Sequence, residues 1–206
     1  MLIASYNPQS WGDVLVAVVH EDAAQQKIEK KGNIVCIKDA DSGVVLGYNF
    51  FNVSSIIGAM NVSGQVKLED KQLAALNRAL VNTGFEDKLV ADDTPKFVVG
   101  FVQELSDHPD SDHLHITKTK VDNGETLQIV CGAPNIAQGQ MVVVAKVGAM
   151  MPDGQIIWPG KLRGVQSEGM ICSARELALP NAPEKRGILV LEPEKYAVGA
   201  EFILKN

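Results

Sequence analysis

Residues 107–116 read DHPDSDHLHI, and three of the chain's four histidines, His108, His113 and His115, fall inside this run with Asp107, Asp110 and Asp112 between them. Imidazole and carboxylate at close spacing are the side chains from which metal sites are made. A metal also needs those groups to converge and stay fixed. His113 and His115 are two apart, so on a strand they share a face. His108-Pro109-Asp110-Ser111 reads as a turn, and no cysteine or further histidine lies nearby in sequence. A polar loop feeding a strand accounts for the pattern without a ligand: Leu114 and Ile116 would point inward while His113 and His115 face water. We therefore expect no metal and no cofactor here.

Other catalytic arrangements fare no better. The chain has no nucleophile elbow, no HExxH and no phosphate-cradling P-loop. Cys131 in IVCGAPN could be a nucleophile at a turn, but a buried cysteine ending a strand before a Gly-Ala-Pro-Asn turn explains it more simply. The three cysteines, Cys36, Cys131 and Cys172, are scattered and odd in number. That argues against a disulfide framework and a zinc finger. Their apolar neighbours point to buried thiols. The expectation is a protein that is not an enzyme.

The richest stretch is KLRGVQSEGMICSARELAL, residues 161–179. Lys161, Arg163 and Arg175 could reach phosphate oxygens, contacts that position a nucleic acid without reading its bases. Gly164, Ser167, Gly169 and Ser173 allow close backbone approach and supply small donors and acceptors. The same string also reads as a strand, a tight turn and a short helix, RELAL, capped by its serine. Composition leaves both readings open.

These residues must be held by something, and the 206-residue length allows one or two domains. A content of 46 % hydrophobic and 21 % charged residues fits an ordinary globular protein. Net charge is −6, so no global basic footprint announces nucleic acid, and any such claim must rest on a local patch. Residues 1–94 carry 8 basic and 12 acidic side chains, and residues 95–206 carry 11 and 13. Neither part is basic. No apolar run approaches the ~20 residues of a membrane span, and the N-terminus does not read as a signal peptide. A cytoplasmic setting without membrane contact is expected.

Along the chain, residues 14–19 (VLVAVV) read as a buried strand, bounded by the polar segment EDAAQQKIEKKG. NIVCIKDADSGVVLGYNFF reads as a hairpin turning at Asp41-Ser42-Gly43. The period then becomes helical: Leu73, Leu76 and Leu80 recur beside Ala74 and Val81. Glu69 and Asp70 sit in the first turn, and Gly84 is placed to end the helix. Residues 85–96 read as a linker or edge segment. From Phe97 short strands alternate with turns: FVVGFVQEL, LHITKTKV, TLQIVCGA and MVVVAKVG. About five strands in some 80 residues suggest a small barrel or sandwich. We expect a small α+β domain over residues 1–93 and an all-β domain over residues 94–206.

The strings VGFVQELSDHPDSDHLHITKTKVDNGE and IVCGAPN through LRGVQSEGMICSARELAL resemble the tRNA-binding OB-fold domain. That domain occurs in free-standing tRNA-binding proteins, in EMAP-II-type cofactors, in the C-terminal part of methionyl-tRNA synthetase and in the phenylalanyl-tRNA synthetase β subunit. With its separate N-terminal domain the whole chain is similar to the YtpR family of stand-alone bacterial proteins. The resemblance implies a five-stranded Greek-key barrel that recognises tRNA shape and backbone. It makes DHPDSDHL a structural loop and puts His113 where the family often has Lys or Arg. The implied tRNA-binding surface falls on Asn135, Ser167, Glu168, Met170 and Ser173, with Lys161 and Arg163 as phosphate contacts and Arg175 beside them. It also implies homodimerisation in some free-standing members. A module that docks a translation-related protein partner, with a vestigial tRNA surface, is the alternative.

Overall fold

The computed structural model describes residues 1–204. The chain divides into two compact units, Met1–Asp93 and Thr94–Asn206. Both are built mostly of β-strands, with a few helices confined to the first.

The first unit is one antiparallel sheet with a helix on its inner face. Its elements are β1 (Ile3–Tyr6), α1 (Pro8–Trp11), β2 (Val14–Val18), β3 (Gln26–Lys31), β4 (Ile34–Asp39), β5 (Val45–Phe51), α2 (Ser54–Ile57), β6 (Gly64–Val66) and α3 (Asp70–Asn82). The strand order is β3-β4-β5-β2-β1-β6. The β4–β5 hairpin turns where Asp39 Oδ1 accepts the amides of Asp41 and Ser42 at 2.8 and 3.2 Å. Those two backbone donors hold the Asp39 carboxyl below its usual range. On α3 the helical repeat buries Leu76 and Leu80 against Leu15, Cys36, Tyr48 and Phe50, leaves Leu73 half-buried and turns Val81 to solvent. Gly84 follows the Thr83 cap at φ 79°, a conformation glycine adopts without cost.

Two expectations for this unit need correcting. The polar segment before residue 32 contains a strand, β3, at the edge of the sheet. Its lysines and glutamate suit an edge that must not pair with another chain. Residues 85–89 are not linker. Phe85 and Leu89 are buried in the core. The Asn77 side chain grips Leu89 by both its amide (2.8 Å) and its carbonyl (2.9 Å), and Tyr48 donates to Asp87 at 2.8 Å. Short charged runs hide such anchors, because the contacts come from residues far away in sequence.

The second unit contains β7 (Phe97–Asp107), β8 (His115–Lys120), a 3₁₀ turn (Asp122–Gly124), β9 (Thr126–Cys131), β10 (Met141–Lys146), β11 (Gly160–Leu162), β12 (Val165–Ser167), β13 (Gly169–Ile171) and β14 (Val190–Leu191). The sheet runs β13-β10-β7-β8-β9, all antiparallel, and curls into a nearly closed barrel. The return from β9 to the β12–β13 corner is short. Glu168 donates its amide to Gln128 O at 2.8 Å, and the Gln128 side chain donates to Gln166 O at 2.9 Å. β10 is buried on both faces, which is why MVVVAK is continuously apolar rather than alternating. Val142 and Val144 face the barrel interior with Val98, Val102, Ile129 and Ile171. Met141, Val143 and Ala145 face a second cluster with Val99, Met151, Cys172 and Leu177. The C-terminal segment closes this outer cluster, with β14 pairing to β10 and Leu189 and Phe202 packing on it. Gly100 is required on the inner face: a Cβ there would stand 2.6 Å from Val144 Cγ2 and 2.8 Å from Thr119 Cγ2. Lys146 and Asp122 form a largely buried bidentate pair at 2.7 and 2.8 Å, tying β10 to the 3₁₀ turn.

Candidate nucleic-acid interface

The three histidines of DHPDSDHLHI go to three separate tasks. His108 is buried; its Nδ1 accepts the Asp110 amide at 3.1 Å, so its Nε2 carries the proton and donates to Leu162 O at 3.1 Å. Both ring nitrogens are committed. His113 is exposed and bonds Asp112 at 2.8 Å, and that bond holds the Asp112 carboxyl below its usual range. His115 begins β8 on the face that also carries the buried Thr117 and Thr119, opposite Cys131. It does not face water as expected: its Nδ1 is buried and lacks a hydrogen-bond partner among the described residues. The inward positions of β8 are thus the odd-numbered ones. Thr117 and Thr119 satisfy their hydroxyls on each other (3.0 Å) and on Ile129 O (3.0 Å). Small polar residues in a barrel interior are the signal that an alternation of Leu and Ile alone concealed.

The loop also docks the β11–β12 hairpin. Besides the bond from His108 to Leu162, Arg163 at the hairpin tip donates to Asp110 O at 2.7 Å. Arg163 adopts φ 44° there, next to Gly164. Lys161 lies on β11, exposed and opposite Gln166. Arg163 is therefore partly spent on positioning, while the Lys161 ammonium is on the surface.

Of the other expected residues, Ser167 is 5 % exposed. Its hydroxyl accepts the Val130 amide at 3.1 Å and donates to Gly169 O at 3.1 Å, so it stitches the barrel shut between β9 and β12. Glu168 is exposed and its carboxylate accepts the Gln128 amide at 3.3 Å, beside the same seam. Asn135 turns its carboxamide onto one residue, accepting from Ile188 N at 2.8 Å and donating to Ile188 O at 3.0 Å. Ser173 and Glu176 cap one another: Ser173 N donates to Glu176 Oε2 at 2.7 Å, and Glu176 N donates to Ser173 Oγ at 3.2 Å. The capping serine is present, but RELAL forms a single turn rather than a helix, ending at Ala178 with φ 50°.

Met170, Ser173 and Arg175 come together on the wall of an open groove. The lining also includes the end of β9 with Gly132–Pro134, the segment holding Lys185, Arg186 and Gly187, and His113. Lys161, Arg163, Ser167 and Glu168 do not line it. The lining cations are Arg175, Lys185 and Arg186, against the carboxylates of Asp153 and Glu176. Glu176 is engaged by the Ser173 amide. Met170 is half-buried against the outer cluster and supplies apolar lining. In a chain of net charge −6 the lining thus carries one more cation than carboxylates. Lys185 and Arg186 were missed in the sequence because PNAPEKRGIL reads as a plain charged loop. Only the fold brings it beside residues 170–175.

Cys36, Cys131 and Cys172 are free and buried. Burial raises the Cys131 thiol and pushes Cys172 up to about 12, away from nucleophilic service.

Sequence comparison bears on both units. Residues 97–201 match a family described as "Putative tRNA binding domain", and residues 21–92 match a domain of unknown function, DUF4479. A Bacillus subtilis protein named "Putative tRNA-binding protein YtpR" is 46 % identical over 97 % of this chain and 98 % of its own length. The phenylalanine–tRNA ligase beta subunit of Ralstonia nicotianae is 46 % identical over 63 % of this chain, which spans only 17 % of that subunit. That of Oceanobacillus iheyensis is 54 % identical over 44 % of this chain and 11 % of the subunit. The chain belongs to the YtpR family, and its second unit to the tRNA-binding domain family.

Proposed function

We propose that the protein is a non-catalytic tRNA-binding protein whose second unit is an OB-fold that grips tRNA by shape and backbone. The strand order, with β9 returning to the β12–β13 corner, supports the five-stranded Greek-key reading. The observation that carries the function is the groove. It brings Arg175, Lys185 and Arg186 into one lining with the apolar Met170. Cations beside an apolar surface suit a sugar–phosphate chain whose bases are accessible. Its reactive groups are engaged elsewhere, which supports a non-catalytic role: the thiols are buried, and the Ser167 and Ser173 hydroxyls are bound to backbone. The reading places the protein in the cytoplasm, with tRNA as partner and no cofactor; among the described residues no helix is long and apolar enough to cross a membrane.

A native gel shift of bulk tRNA by the full chain tests this. A retarded band competed away by unlabelled tRNA is expected. Failure to retard tRNA at low salt, with capture of a defined translation protein instead, would favour the docking alternative.

A further inference from the structure

Lys185 and Arg186 are adjacent, exposed and free of any ion pair among the described residues. Side chains hold the backbone on either side of the two cations. Before them, Arg175 Nη1 donates to Glu184 O at 3.3 Å. After them, Asn135 clamps both backbone groups of Ile188, which is itself buried in the barrel's inner cluster. Gly187 lets this clamp close, since a Cβ there would stand 2.7 Å from Asn135 Oδ1.

We propose that residues 184–188 are a pre-positioned cationic strap whose Lys185 and Arg186 contact consecutive phosphates of a bound RNA, and that Asn135 positions the strap without touching the ligand. This rests on the tRNA-binding reading and assigns it residues. An ordered strap loses less conformational freedom on binding than a mobile loop would. The guanidinium can bind a phosphate through two parallel hydrogen bonds, and the ammonium acts as a point charge. Both contacts are blind to base identity, in keeping with recognition of the backbone.

The test uses the full chain and fluorescently labelled bulk tRNA between about 50 and about 200 mM salt. Lys185→Ala/Arg186→Ala should weaken binding at least about tenfold. It should also flatten the log–log salt slope by roughly 1.5 to 2, as loss of two phosphate contacts requires. Lys185→Arg/Arg186→Lys should restore most of the slope. Asn135→Ala should lower affinity and leave the slope unchanged. As a control for net charge, Lys27→Ala/Lys30→Ala on the edge strand of the first unit should bind as wild type. If wild type binds tRNA and the Lys185/Arg186 double variant binds with the same affinity and slope, the strap is refuted and the tRNA reading stands. If Asn135→Ala flattens the slope, its positioning role is refuted. If wild type fails to bind tRNA at about 50 mM salt, both fall.

Discussion

Ser167→Ala isolates the difference between a residue that touches RNA and one that builds the barrel. The substitution removes one oxygen and little volume. The Val130 amide, 3.1 Å from that oxygen in a buried setting, loses its acceptor, and the Gly169 carbonyl loses a donor. Leaving one buried amide unsatisfied costs about 1–3 kcal/mol. For a unit of this size each kcal/mol lowers the melting temperature by roughly 4–8 °C, so a drop of about 5–15 °C in the second unit's transition is expected. Backbone relaxation or an entering water would put the value at the low end. The assay is thermal unfolding by circular dichroism, paired with tRNA binding well below the transition. Affinity should match wild type there, because Ser167 does not line the groove. A variant that melts like wild type but binds tRNA weakly would overturn the structural role of Ser167 and make it a contact residue.

Three further outcomes follow from the same geometry. Asp122→Ala strands Lys146 in a largely buried site and should destabilise the second unit by about 3–5 kcal/mol, read by urea unfolding. Burial pushes the folded Cys172 thiol up to about 12, above the range in which an unfolded thiol loses its proton, so stability should fall as pH rises from the ordinary thiol range toward 12. The loss is at most roughly 1.4 kcal/mol per pH unit, and a flat difference curve between wild type and Cys172→Ala would contradict it. Protein purified without an affinity tag should carry no stoichiometric metal; one ion per chain, lost in His113→Ala/His115→Ala, would overturn the loop reading of DHPDSDHLHI.

The four long strands of the second unit, β7 to β10, were legible because β-rich runs that became strands of six to eleven residues alternate with Gly, Pro, Asn and Asp turns, whereas β11 to β14, two or three residues each, are too short to show a period. The helix was legible because Leu73, Leu76 and Leu80 repeat at its period. What the sequence hid depends on partners distant along the chain. Nothing local says that Asn77 grips Leu89 or that Asn135 grips Ile188. Nothing local says that Thr117 and Thr119 face inward, where their hydroxyls find each other. The candidate site divides the same way. Met170, Ser173 and Arg175 were marked by the motif that contains them. Lys185 and Arg186 join them only because the C-terminal segment packs back onto the barrel.

In the proposed function, a groove carrying Arg175, Lys185 and Arg186 in an acidic protein binds tRNA through phosphates. Its most direct test is the affinity of the full chain for bulk tRNA measured across a salt series. Contacts from Arg175, Lys185 and Arg186 predict a linear log–log plot with a slope of roughly −2 to −3. A slope near zero, or no binding at the lowest salt, would contradict it.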